Sequence, residues 1–131
     1  MSGWTVREGY KYATSDEWLK LDGAEGVVGI SDYAQDQLSD LVFIEMPKVG
    51  ASFQAGQSFG VVESVKAAAD LNMPVSGEVV AVNTALESSP ETMNKDPFGE
   101  GWIIRIRVDN AAEADSLMDA AAYKSYCEQR A

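Results

Sequence analysis

The segment ESVKAAAD, residues 63–70, holds a single lysine, Lys66, between small side chains. A lysine without bulky neighbours is one that a modifying enzyme can enclose and acylate, which turns a charged amine into a neutral amide. The simpler interpretation is a surface charge of the kind that keeps exposed strands from aggregating. The local sequence leaves both interpretations open. The choice between them depends on whether Lys66 carries an attached group and on where the fold places its side chain.

The other residue types limit the chemistry that this chain can perform. It contains no histidine and one cysteine, Cys127, among its 131 residues. This excludes an internal disulfide, a CxxC pair, a Cys/His zinc cluster and any nucleophile activated by histidine. Cys127 is predicted to be a packed helix cysteine rather than a reactive thiol. Any chemistry must therefore use carboxylates, lysine, tyrosine or a group attached from outside.

The charge of the chain bears on its partners. Twenty-one acidic and ten basic residues give a formal charge of -11, which disfavours nucleic acid and anionic membranes and favours basic partner surfaces. No apolar run is long enough to cross a membrane, and the N-terminus has the pattern of neither a secretory signal nor a transit peptide. We expect a bacterial cytoplasmic protein, or a mitochondrial matrix protein if the chain is a processed mature form.

Short strand patterns separated by turn residues dominate the middle of the chain. Asp22-Gly23 predicts a tight hairpin turn, and Ser31 is a suitable N-cap for a short helix over residues 32–38. Strands are expected at residues 18–21, 26–30, 40–46, 58–65, 68–73, 78–83 and 102–108. The segment 61–73 is thus predicted to be a β-hairpin with Lys66 at its turn.

The C-terminal segment differs because it contains neither proline nor glycine from residue 111 to residue 129. Apolar residues at helical spacing predict one amphipathic helix around 113–129 that packs on the sheet. The residues expected on its packing face are Leu117, Met118, Ala121, Ala122 and Tyr126. Chain length and a hydrophobic content of 46% indicate one compact domain over residues 1–131.

Three longer runs resemble a known family when they are taken together. VGISDYAQDQLSDLVFIEMPKVGASF is followed by GVVESVKAAADLNMPVSGEVVAVN and then by NKDPFGEGWI. In this order and at these intervals they resemble the H protein of the glycine cleavage system over roughly residues 10–126. The resemblance implies a mainly β fold, a lipoyl/biotinyl-type sandwich or flattened barrel, with a short helix and a C-terminal helix.

The resemblance also implies a cofactor and a set of partners. The lysine of the ESVKAA element carries lipoic acid in amide linkage in that family, and Lys66 occupies this place here. Biotin is the less favoured attachment, because biotin carriers set their lysine between methionines whereas Val65 and Ala67 flank this one. The implied partners are a pyridoxal-phosphate glycine decarboxylase, a folate-dependent aminomethyltransferase, a flavin-containing dihydrolipoyl dehydrogenase and lipoate-attaching enzymes. The chain itself would be a carrier without catalysis of its own.

The family places further polar groups beside the loaded lipoyl arm, whose amine is expected to be cationic. These groups match Ser15, Glu17 and Asp70, with the carboxylates holding the amine and Ser15 adding a hydrogen bond. The family commonly has histidine where this chain has Asp16, which would add negative charge near the amine. Without the resemblance all three would be solvated or capping residues.

Two further alternatives stay open at this point. An H-like protein could relay lipoate to other enzymes, and a stand-alone hydrolase could use Glu17 and Asp70 as acid and base. No metal site is expected, since the run NKDP at 94–97 has the pattern of a shaped turn.

Overall fold

Two antiparallel β-sheets form the body of the computed structural model, which describes residues 3–130. The strands are β1 (Lys11–Tyr12), β2 (Glu17–Asp22), β3 (Glu25–Ile30), β4 (Leu41–Glu45), β5 (Ser52–Phe53), β6 (Ser58–Ser64), β7 (Ala68–Asn72), β8 (Gly77–Val82) and β9 (Ile104–Val108). The helices are α1 (Asp32–Leu38), α2 (Ala85–Ser88), α3 (Thr92–Lys95), a 3-10 helix (Ala111–Ser116) and α4 (Ala120–Arg130).

The larger sheet has the strand order β1-β2-β3-β9-β8-β5, and the smaller sheet has the order β4-β6-β7. The mainly β prediction is therefore confirmed, and so are the short helix and the presence of a C-terminal helix. The two sheets remain separate and do not close into a barrel. All of the expected strands are present within a few residues of their predicted bounds. The two-residue strands β1 and β5 and the short helices α2 and α3 were not predicted.

The space between the sheets is filled by side chains that alternate along each strand. Leu19, Val28 and Ile106 point inward from the larger sheet, and Val62 and Leu71 point inward from the smaller one. Each of these five side chains is almost completely buried. Removing such side chains from water stabilises the fold by about 1.5–3 kcal/mol each. This core fixes which residues of β2 face the smaller sheet.

The first hairpin and the N-cap of α1 form as predicted, although the hairpin turn lies one residue later than the predicted Asp22-Gly23. Asp22 pairs with Glu25, so the hairpin turn consists of Gly23 and Ala24, and Gly23 has a φ of +65° that glycine adopts without strain. The hydroxyl of Ser31 accepts a hydrogen bond from the backbone N–H of Ala34 at 3.1 Å and caps α1. The β2–β3 hairpin and α1 together frame one side of the candidate site.

The C-terminal helix begins later than predicted and packs through a different face. The backbone of Met118 pairs with the edge strand β1 through Tyr12, with two hydrogen bonds of 2.8 and 2.9 Å, and this pairing interrupts any helix that starts at residue 113. Asp119 then accepts a hydrogen bond from the N–H of Ala122 and starts α4. The buried residues of α4 are Ala120, Tyr123 and Cys127, whereas the predicted packing residues Ala121 and Ala122 are exposed.

The loop before β9 is ordered by one asparagine. The side chain of Asn94 accepts a hydrogen bond from the N–H of Leu41 and donates to Gln35 and to the carbonyl of Ser39. The NKDP run, predicted to be a shaped turn, is divided: its first two residues end α3 and its last two follow that helix. Within residues 3–130 no group of three His, Cys, Asp or Glu residues is arranged to hold a metal ion.

Candidate functional site

Lys66 lies at the turn of the hairpin that β6 and β7 form, and its side chain is exposed. The turn is built around Ser64. The Ser64 hydroxyl accepts hydrogen bonds from the backbone N–H groups of Lys66, at 3.2 Å, and Ala67, at 3.0 Å. The Ser64 backbone N–H donates to the carbonyl of Ala67 at 2.7 Å. A serine two residues before the lysine thus shapes the bend, as serine hydroxyls do in turns.

The amine of Lys66 has no partner among residues 3–130. Its ammonium group forms no ion pair within the described residues, and the neighbouring Ala67 and Ala68 add little bulk. On the other side, Val65 is 68% exposed, while its N–H donates to the carbonyl of Asp40 and anchors the turn to the smaller sheet. The structure therefore holds the backbone of this turn in place and leaves the lysine side chain accessible to an enzyme.

Glu17, the first residue of β2, is buried, with only 1% of its surface exposed. One carboxylate oxygen accepts a hydrogen bond from the hydroxyl of Ser15, and the other accepts one from the N–H of Asn72 at 3.0 Å. Because Asn72 ends β7, this contact joins the two sheets. Burial raises the pKa of Glu17 from its usual 4.5 to about 7, and the two hydrogen bonds oppose that rise only in part.

A cleft of about 180 Å³ brings three of the sequence-predicted residues together. Ser15, Glu17 and Asp70 all line it, and the helix α1 forms one wall. Glu17 is buried at its base while Ser15 and Asp70 are exposed. Lys66 does not line the cleft. It lies in the turn four residues before Asp70, and β7 begins only at Ala68, so the two Cα atoms are at most about 14 Å apart.

Asp16 lines the same cleft, but its carboxylate is already paired with groups of the C-terminal helix. Its carboxylate forms an ion pair with Arg130 at 2.6 Å and accepts a hydrogen bond from the hydroxyl of Tyr123 at 2.8 Å. Asp16 has a φ of +83°, which is uncommon for a residue with a side chain. The C-terminal helix thus neutralises the charge of Asp16 and holds the turn that carries Ser15 and Glu17. Sequence reasoning missed Arg130, because no local pattern links residues so far apart.

This arrangement joins an exposed lysine at a hairpin turn to a cleft with a buried carboxylate, and comparisons with known proteins assign it to a family. The family model described as Glycine cleavage H-protein matches residues 10–130. This chain belongs to the glycine cleavage H-protein family. The glycine cleavage system H protein of Symbiobacterium thermophilum is 53% identical to it over 119 residues, which cover 91% of this chain and 93% of that protein.

Other H proteins extend the comparison. The mitochondrial glycine cleavage system H protein 2 of Arabidopsis thaliana is 50% identical over 124 residues, covering 95% of this chain and 80% of that protein. The crystal structure of a glycine cleavage system H protein from Mycobacterium marinum superposes with a TM-score of 0.83 at 35% identity, covering 95% of this chain and 98% of that one. The predicted resemblance is confirmed, and the chain is a lipoyl carrier of the glycine cleavage system by family. No helix within residues 3–130 is long and apolar enough to cross a membrane.

Proposed function

We propose that Lys66 carries lipoic acid in amide linkage and that the chain shuttles this group among the enzymes of glycine cleavage. The observation that carries the proposal is the presentation of Lys66 on an anchored turn, with its amine unpaired within residues 3–130 and the small residues Ala67 and Ala68 directly after it. A bound lipoyl group would supply the two sulfur atoms for redox chemistry and group transfer, which a chain with one buried cysteine lacks.

The cleft lies near the hairpin turn in the chain and suits the charge of the proposed group. Lys66 is only four residues before Asp70, which lines the cleft. Glu17 can offer a carboxylate in a place from which water is largely excluded, where an ion pair with an amine is stronger than in solvent. Ser15 orients that carboxylate, and Asp70 adds a second negative charge at the exposed edge of the cleft.

The raised pKa of Glu17 gives the cleft a preference for a cation. Ionised Glu17 is costly to bury without a positive partner, because its hydrogen bonds from Ser15 and Asn72 only partly replace water. An amine held in the cleft would supply that partner and favour the ionised form. We therefore assign Glu17 to binding the amine and Ser15 to holding the Glu17 carboxylate in place.

The partners follow from the family and are part of the proposal. The lipoylated chain would accept an aminomethyl group at the pyridoxal-phosphate glycine decarboxylase and deliver it to the aminomethyltransferase. Dihydrolipoyl dehydrogenase would then reoxidise the dithiol, and lipoate-attaching enzymes would modify Lys66 beforehand. The chain acts in this scheme as one carrier domain over residues 1–131 without catalysis of its own, in the bacterial cytoplasm or the mitochondrial matrix. Both oxygens of Glu17 are already engaged, which supports a binding role over that of a hydrolytic acid or base.

Reconstitution with purified glycine decarboxylase tests this function. The lipoylated chain should support release of labelled carbon dioxide from the carboxyl group of glycine, and the Lys66→Arg variant should not. Lys48→Arg, on an exposed loop, is the matched control and should behave like the wild type. A lipoylated chain that fails to support decarboxylation yet donates its lipoate to another acceptor protein would indicate a lipoate relay instead.

A further inference from the structure

A second concave site lies on the outer face of the larger sheet. This site, the aromatic groove, has a volume of about 340 Å³, at the lower end of the range of roughly 300–1,000 Å³ typical of small-molecule sites. Its walls are the partly exposed aromatic rings of Tyr10 and Trp102. Its floor is formed by Val27 and by the rings of Trp18 and Phe98, which are only 1% and 6% exposed. None of these residues takes part in the lipoyl hairpin or in the cleft that contains Glu17.

Strand alternation explains why the groove and the cleft lie on opposite faces of the larger sheet. Glu17 and Trp18 are consecutive in β2, so their side chains leave the sheet in opposite directions. Trp18 pairs with Gly29 in β3, and a Cβ atom at Gly29 would come within 2.5 Å of the indole ring. The absence of a side chain there lets the ring lie against the strand. The Trp18 indole N–H donates to the carbonyl of Pro97 at 3.0 Å and holds the ring in place.

The aromatic rings form a preorganised wall rather than a loose patch. Tyr10 meets Trp18 and Phe98 edge to face, with ring centroids 5.3 Å apart in both pairs. Trp18 and Phe98 lie closer to parallel, with a centroid distance of 5.8 Å. Such geometries are favourable for aromatic pairs, so the wall keeps its shape without a ligand.

The rim of the groove is positively charged in a strongly acidic chain. The ammonium group of Lys20 lies 5.1 Å from the ring centroid of Tyr10 and forms no ion pair among residues 3–130. The guanidinium group of Arg7 lies 5.0 Å from the ring centroid of Phe98 and is likewise unpaired there. A third cation, Arg105, is already bound to two carboxylates. Lys20 thus lines the groove without a counter-charge, while Arg7 lies over the ring of Phe98 without lining the groove.

Two neutral donors complete the site. The hydroxyl of Tyr10 and the indole N–H of Trp102 make no hydrogen bond within the described part of the chain, although both residues line the groove. The unpaired hydrogen-bond donors and the ammonium group of Lys20 favour a ligand with a negatively charged group. The aromatic rings favour a ligand that also has a flat apolar part.

We propose that the aromatic groove binds a small aromatic anion, with its ring system against Tyr10 and Trp102 and its carboxylate at Lys20. The volume of the groove suits a ligand of one or two fused rings. A cation would meet Lys20 and be repelled. This site is additional to the carrier function and does not depend on the modification of Lys66.

Nuclear magnetic resonance titration of the full isotope-labelled chain tests the proposal with three named probes. Indole-3-acetate carries both the ring and the carboxylate, tryptamine carries the ring with a positive charge, and cyclohexylacetate carries the carboxylate without an aromatic ring. Indole-3-acetate should produce saturable shifts of the indole N–H signals of Trp18 and Trp102. The other two probes should bind at least roughly tenfold more weakly, since each loses one of the two kinds of contact.

Surface variants make the test specific. Lys20→Gln should weaken the binding of indole-3-acetate by roughly tenfold, and Lys20→Arg should largely retain it, because a charge-assisted hydrogen bond is lost only in the first. Lys124→Gln, on the exposed face of α4, is the matched control and should leave the affinity unchanged. The proposal is overturned if tryptamine binds as well as indole-3-acetate, if Lys20→Gln has no effect, or if no probe gives saturable shifts at the groove.

Discussion

Glu17 should make the stability of this carrier fall as the solution becomes more alkaline. Its carboxylate is almost fully buried and its pKa is raised to about 7, mainly because burial disfavours the charged form. In the unfolded chain the same group has its usual pKa of 4.5 and ionises in water without cost. Replacing Glu17 with glutamine keeps the shape and leaves an oxygen to accept from the N–H of Asn72, but removes the charge.

The sign and size of the effect follow from proton linkage. Because the pKa is raised in the folded state, the stabilising contribution of protonated Glu17 is complete below pH 4.5 and is lost as the pH rises through 7. Each tenfold difference in proton affinity is worth about 1.4 kcal/mol. The rise from 4.5 to about 7 therefore corresponds to about 3 kcal/mol, most of which falls between pH 5 and pH 8. The Glu17→Gln variant should lack this loss.

Urea unfolding followed by tryptophan fluorescence at pH 5 and pH 8 measures the difference. The wild type should lose about 2.5 kcal/mol more than Glu17→Gln over this interval, which is the part of the total effect that lies between pH 5 and pH 8. Glu45→Gln, at an exposed position of β4, is the matched control and should follow the wild type. Parallel losses in the wild type and in Glu17→Gln would refute the reasoning, because another group would then account for the pH dependence.

Three further changes test other contacts. Asp16→Ala should lower the free energy of unfolding by about 1–3 kcal/mol, as Arg130 and the Tyr123 hydroxyl lose their acceptor; an unchanged thermal midpoint would show that the pair adds nothing. Gly29→Ala should cost about 1–3 kcal/mol in urea unfolding, because its Cβ would overlap the ring of Trp18; wild-type stability would mean that the ring moves aside freely. Higher salt should raise the KM of glycine decarboxylase for the lipoylated chain, since a charge of -11 draws it to basic surfaces; a salt-independent KM would contradict charge-driven docking.

The lysine hairpin was predictable because its signals are local. Val61 and Val62 lie before ESVKAA and the turn residues of Pro74 to Gly77 follow it, which indicates two short paired strands, and the structure places Lys66 at their turn. The grouping of Ser15, Glu17 and Asp70 came from the family resemblance and not from any local pattern. Their meeting in one cleft depends on the packing of two sheets, which spacing along the chain does not encode.

The C-terminal segment shows where local reasoning fails. Apolar residues do recur at helical spacing from residue 113 onward. The backbone of Met118, however, pairs with the edge strand β1 and therefore does not continue a helix. The burial of Glu17 was missed for a similar reason. In so acidic a chain a carboxylate is expected to be exposed to solvent. The burial of the Glu17 carboxylate is explained by its hydrogen bond from the N–H of Asn72 in the other sheet, which the sequence does not indicate.

The central claim is that Lys66 is the site of lipoyl attachment. Intact-protein mass spectrometry of the chain co-expressed with a lipoate-attaching enzyme and supplied with lipoate tests it most directly, with Lys48→Arg and Lys66→Arg expressed in parallel. The wild type and Lys48→Arg should each gain the mass of one lipoyl group, and Lys66→Arg should gain none. An unmodified wild type, or a Lys66→Arg variant that still gains this mass, would contradict the claim.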